Sequence, residues 1–88
     1  MNRDQAIVRR IRRGRVYRGK KPRNCRGFYN DRQVLWISED GEKIQYDSPT
    51  VAIGRKFPTI PREKFEAWAG DDVTQKTPKH SWQLFGER

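Results

Sequence analysis

The 88-residue sequence predicts a mainly β protein with short helices, of the α+β class. Three observations predict it. Arg32–Ser38 (Arg-Gln-Val-Leu-Trp-Ile-Ser) gathers β-branched and aromatic residues into one run. Asp40-Gly41 follows, a strong turn signal between antiparallel strands. Hydrophobic residues are only 33% of the chain, against a usual share of roughly 45–50%. That limits the core to one small domain of about 60 residues, feasible but marginal.

Residues 2–13 read as a short helix. Asn2 or Asp4 can cap it, and Ile7 and Ile11 stand at i and i+4 beside Ala6 and Val8. Gly14 can end it. Arg9/Arg12, Arg9/Arg13 and Arg10/Arg13 repel across one helical turn, so full order is expected only on packing or binding.

The body then reads as β. Arg15–Arg18 suits a first strand, and Gly19 to Gly27 reads as a polar loop with Pro22 and Asn24. Phe28 and Tyr29 begin or brace the next element, and Asn30-Asp31 turns the chain. Arg32–Ser38 and Lys43–Tyr46 form a hairpin about Asp40-Gly41. Thr50–Ile53 is a further strand candidate, running towards Phe57 past a bend at Gly54. Pro61 suits a first helical turn, so residues 61–69 read as a helix with Phe65, Trp68 and Ala69 on one side. Gly70 closes it, and Asp71–Thr74 adds a short strand around Val73. Residues 75–81 lack a large apolar residue and are expected to be mobile. The apolar trio Trp82, Leu84 and Phe85 follows. The expected organisation is a basic arm over 1–13, a small β-barrel body over 14–74 and a flexible C-terminal tail over 75–88. An SH3-like barrel fits the size better than an OB-like one.

Charge gives the functional signal. Net charge is +9. Residues 1–26 hold eleven cations (Arg3, Arg9, Arg10, Arg12, Arg13, Arg15, Arg18, Lys20, Lys21, Arg23 and Arg26) against Asp4 alone, a balance of +10. Residues 27–88 hold nine cations and ten acids, a balance of −1. A basic arm on a near-neutral body points to phosphate binding. Arg outnumbers Lys nine to two in the arm, and its planar fork donates two hydrogen bonds at once. The bland alternative is a solubilising tail, which would be expected to carry more Lys and more acid. Tyr17 and Tyr29 lie beside these charges and are candidates for base stacking; core filling is the ordinary role for Tyr17 and Phe28. Trp82, Leu84 and Phe85 are candidates for docking a partner or the body itself.

Gly14-Arg-Val-Tyr-Arg-Gly19, the Val34–Tyr46 hairpin, Phe57 and the Phe65/Trp68 helix together resemble short accessory proteins of lambdoid phages and prophages. The resemblance covers roughly residues 14–74. It implies a phage accessory protein acting in a bacterial cytoplasm, and it brings no assigned site residues with it.

Catalysis and cofactors find little support. Cys25 has Arg23 and Arg26 nearby, which lower a thiol pKa, but its only potential His partner is the distant His80. One Cys and one His exclude an intramolecular disulfide and a Cys/His zinc site within one chain. Asp71-Asp72 read as turn residues before they read as cation ligands. No apolar run approaches the roughly 20 residues of a membrane span. The expectation is a non-enzymatic, cytoplasmic, nucleic-acid-binding accessory protein without cofactor or metal, DNA slightly ahead of RNA. The alternative is a phage-encoded interaction module whose arm meets an acidic host protein, modulating an enzyme or nucleoprotein complex.

Overall fold

A computed structural model describes residues 11–86. Arg3, Arg9, Arg10 and most of the helix expected over 2–13 lie outside the described residues. Residues 11–13 are not helical. Ile11 is instead buried in the core, and the Gly14 N–H donates to Val34 O at 2.7 Å.

Seven short strands and one helix follow: β1 (Val16–Gly19), β2 (Asn24–Cys25), β3 (Phe28–Tyr29), β4 (Arg32–Ile37), β5 (Lys43–Asp47), β6 (Thr59–Pro61), α1 (Arg62–Trp68) and β7 (Ala69–Asp72). Five of them form one antiparallel sheet in the order β6-β5-β4-β1-β7. The sheet is open, with β6 and β7 at its edges, so the expected barrel closure is not seen among the described residues. The molecule is mainly β with one short helix.

The β4–β5 hairpin forms where Asp40-Gly41 placed it, with Ile37 opposite Ile44. Its loop is longer than the two-residue type. Ser38 N donates to Lys43 O, and Gly41 takes the left-handed φ of 77° that favours glycine. The Asp40 carboxylate accepts from the Ser38 hydroxyl at 2.6 Å and from Glu42 N at 3.0 Å, locking the turn.

Three expectations are corrected. Gly19–Gly27 is not a plain loop: residues 24–29 form the β2–β3 hairpin about Arg26-Gly27, both at positive φ (54° and 91°). Two central residues at positive φ make the turn whose twist suits a tight hairpin. Thr50–Ile53 is a series of turns and bends, with Ile53 fully exposed. The strand on that side comes later, at β6, where Ile60 lies opposite Ile44. The helix stops at Trp68, and Ala69–Asp72 pairs with β1 as the last strand.

The core lies between α1 and the inner face of the sheet: Tyr17, Val34, Ile44, Tyr46, Phe65 and Ala69, with Ile11 from the arm. Phe65 is fully buried and meets Tyr17, Tyr46 and Trp68 edge-on at ring centroids of 5.8, 6.0 and 5.4 Å. Burying one such ring contributes about 1.5–3 kcal/mol. The Trp68 indole covers Gly19 so closely that a Cβ there would stand 2.6 Å from Nε1. Glycine is required at 19 by this close approach, since its φ needs none.

Candidate nucleic-acid interface

The cations of residues 11–26 divide into two kinds. Arg15, just before β1, and Arg18, within it, are each ion-paired within the protein. Arg15 Nε donates to Asp72 Oδ2 at 2.8 Å, and this hydrogen bond, then the Asp72 charge, raises the guanidinium pKa. Burial works to raise the Asp72 carboxyl, but the Thr74 hydroxyl, Arg15 and the Thr74 N–H outweigh it and hold it below the usual carboxylate range.

Arg18 is more deeply engaged. Its Nε and Nη2 grip the two oxygens of Asp31 at 3.0 Å each, and Nη2 also donates to Gln83 Oε1 at 2.6 Å. Its guanidinium lies 3.5 Å from the centre of the Tyr29 ring. Asp31 is fully buried and the Arg18 side chain is only 13% exposed. Arg18 is thus built into the fold, with Nε and Nη2 engaged, which sets it apart from the exposed cations of the segment.

Arg12, Arg13, Lys20, Lys21, Arg23 and Arg26 are exposed, and none takes part in an ion pair among the described residues. They fall into two groups. Arg12 and Arg13 precede β1. Lys20, Lys21, Arg23 and Arg26 run through the segment that holds β2 and the hairpin turn. At about 3.3 Å per residue, the chain from 14 to 20 spans at most roughly 20 Å. Between the two groups in sequence stand Arg15 and Arg18, both of them paired.

The two tyrosines also part company. Tyr17 is 0% exposed. Its hydroxyl accepts from Arg12 N at 2.9 Å, which fixes the root of the arm, and burial raises its pKa. No ring face is left for a base, so its candidacy for stacking is withdrawn. Tyr29 is half-buried, under Arg18 and beside Phe85 at 4.9 Å.

Residues 82–85, expected in a flexible tail, lie on the body. Tyr29 N donates to Gln83 O at 3.0 Å and Phe85 N to Gly27 O at 2.8 Å, while Leu84 bridges to Phe28. Trp82 is half-buried; Leu84 and Phe85 keep about half their surface in solvent. The segment adds a third, irregular strand to the basic hairpin. Residues 74–76 wind into a 3-10 turn, and Thr77 Oγ1 donates to Val73 O.

Two features were not drawn from the sequence. Asp31 reads as a turn residue, and only the fold brings Arg18 and Gln83 to it. Arg32 stacks on Tyr46 and Trp68, 4.4 and 4.1 Å from the ring centres, and caps the end of the core. Burial lowers its pKa.

No group of three or more His, Cys, Asp or Glu able to hold a metal occurs among the described residues. No helix there is long and apolar enough to cross a membrane. Comparison with known proteins returns no match to a family model, a curated protein or a solved structure.

Proposed function

We propose that the protein is a non-enzymatic nucleic-acid-binding accessory protein, with DNA slightly favoured over RNA. One observation carries this reading: six exposed cations flank β1 without carboxylate partners among the described residues, while Arg15 and Arg18 between them are paired. A surface built only for solubility has no need to exclude acids from both patches. Arg3, Arg9 and Arg10 extend the arm in sequence. In this reading the body is an SH3-like scaffold. The strand order, the hairpin-bearing loop after β1 and the short helix before β7 support that description.

The test is fluorescence anisotropy with labelled duplex DNA and RNA hairpins across a salt series starting near 50 mM. With about five phosphates neutralised, log K falls against log salt with a slope of roughly −4 to −5. Changing Arg9, Arg10, Arg12 and Arg13 to Ala flattens the slope, and so does changing Lys20, Lys21, Arg23 and Arg26 to Ala. Absence of binding at the low-salt end overturns the proposal.

A second reading is an interaction module that docks on a host protein. It is favoured by Trp36, Ile53 and Phe57, which are 45%, 106% and 44% exposed and lie outside the basic patches. A nuclease-insensitive complex from host lysate, lost on changing Ile53 and Phe57 to Ser, distinguishes it.

A further inference from the structure

The C-terminal segment crosses the outer face of the sheet and leaves a cleft of about 810 Å³ beneath it. That volume lies in the ordinary range of small-ligand sites, about 300–1,000 Å³. Gln33 and Asp47 face each other across β4 and β5 and line the cleft together. Side chains of directly paired residues share a sheet face at about 5 Å between Cβ atoms, so an amide and a carboxylate stand side by side there. Trp82 forms part of the wall, and Lys79 and Gly14 also line the cleft. Gly14 follows Arg12 and Arg13 directly in the chain, which brings the root of the basic arm to the edge of the cleft.

The chemistry of this arrangement is selective. Asp47 is the one carboxylate lining the cleft, and it enters no ion pair among the described residues. Its Oδ1 accepts from Ser48 N at 2.7 Å, leaving lone pairs for a ligand. A cationic ligand is disfavoured by Lys79 and by Arg12 and Arg13 next to Gly14. The cleft therefore suits a neutral group that offers N–H donors and is attached to an anion. Guanine is the common base with two adjacent donors on its pairing edge, N1–H and the N2 amine, beside the O6 acceptor. Adenine and cytosine each place an acceptor next to a donor, and uracil and thymine flank their one donor with carbonyls. Gln33 Nε2 makes only a long bond to Gly14 O, 3.4 Å, and is free to turn to O6. Trp82 offers a stacking surface.

We infer that this cleft is a pocket for an unpaired guanine base, with Asp47 accepting from N1–H and N2–H, Gln33 donating to O6 and Trp82 stacking. Lys79 and the arm hold the adjoining phosphates. The inference rests on the nucleic-acid reading for its biological setting, and the experiment separates the two.

Labelled oligothymidylate 12-mers carrying one central guanine, hypoxanthine, adenine or cytosine are titrated at 50 mM salt with the full chain and with Asp47→Asn. Asn keeps the Oδ1 acceptor for Ser48 N, so the fold is retained. The wild type binds the guanine strand at least about fivefold tighter than the adenine strand, the low end for one good bidentate contact. Hypoxanthine, without the N2 amine, falls between them. Asp47→Asn removes the preference yet binds the other strands no more weakly, because a negative charge has gone. Equal binding of all four strands by the wild type overturns the pocket and leaves the arm reading intact; a preference that survives Asp47→Asn overturns it too. If no strand binds, the arm reading falls and 5′-GMP decides the pocket. A shift of the Trp82 indole N–H resonance with millimolar 5′-GMP, absent with 5′-AMP and absent in Asp47→Asn, upholds the pocket; no such shift overturns it.

Discussion

Among single residues, Arg18 decides most. Its guanidinium answers a fully buried carboxylate, whereas the other two ion pairs among the described residues are partly exposed. Breaking a buried ion pair by removing one partner costs about 3–5 kcal/mol, a large share of the roughly 5–15 kcal/mol that holds a domain together. Arg18→Ala is expected to lower the unfolding free energy read from urea denaturation by that much, and Arg18→Ala with Asp31→Ala by less, since no carboxylate is then left without its partner. A cost below about 1 kcal/mol, the value of an exposed pair, contradicts the account. Asp72 contributes to acid sensitivity. An unfolded Asp titrates near about 3.9, and in the folded protein Asp72 lies lower. Its contribution is therefore present above about pH 4 and is lost as pH falls through the folded value. Asp40, held down mainly by the Ser38 hydroxyl, follows the same sign. Thermal melts of Asp72→Asn should show a shallower fall in Tm between about pH 5 and pH 2 than the wild type.

Elements differ in how far the sequence reveals them. The β4–β5 hairpin was legible because its strand residues, its turn dipeptide and its register agree, and β1 was legible to within a residue. The helix was legible from Pro61, Phe65 and Trp68. The β2–β3 hairpin was not, because Arg is a poor marker for a left-handed turn position; the signal was Gly27 followed by Phe28-Tyr29. That conformation costs a non-glycine residue roughly 1–2 kcal/mol, and Asn24 Oδ1, accepting from Gly27 N at 2.8 Å, helps to hold it. Asn tolerates the conformation better than Arg. Arg26→Asn is expected to raise the stability of the hairpin by about 0.5–1 kcal/mol, read as slower hydrogen exchange at Tyr29 and Asn30. Unchanged or faster exchange rejects this. Thr50–Ile53 misled because β-branched residues also occur in exposed loops, where Gly54 at φ 84° lets the chain turn back. The sites were legible as charge and not as geometry. Composition located the basic segment, but the pairing of Arg15 and Arg18, and the meeting of Gln33, Asp47 and Trp82, depend on contacts between distant stretches of chain.

At the scale of the whole molecule, residues 14–74 do not account for the body. The last residues described supply Gln83, buried in the Arg18–Asp31 network, and the backbone partners of Gly27 and Tyr29. Removing residues 82–88 is expected to leave the β4–β5 hairpin protected against hydrogen exchange while protection at Tyr29 is lost. It also takes Trp82 out of the wall of the Asp47 cleft. Uniform loss of protection would mean that the segment is needed for the entire fold, and no loss would mean that it contributes nothing to the hairpin.

The contact between Arg18 and Gln83 joins residues 65 positions apart in the chain. Closing so long a loop costs conformational entropy before the contact returns anything, and domains dominated by such distant pairings fold in milliseconds to seconds, slower than helical ones. The β4–β5 hairpin, whose partners are near neighbours in sequence, is placed to form first. The cationic hairpin becomes rigid only when the far end of the chain arrives. In a stopped-flow experiment its signals should therefore lag behind those of β4 and β5, leaving a brief interval in which the chain is compact but its charged hairpin is still loose.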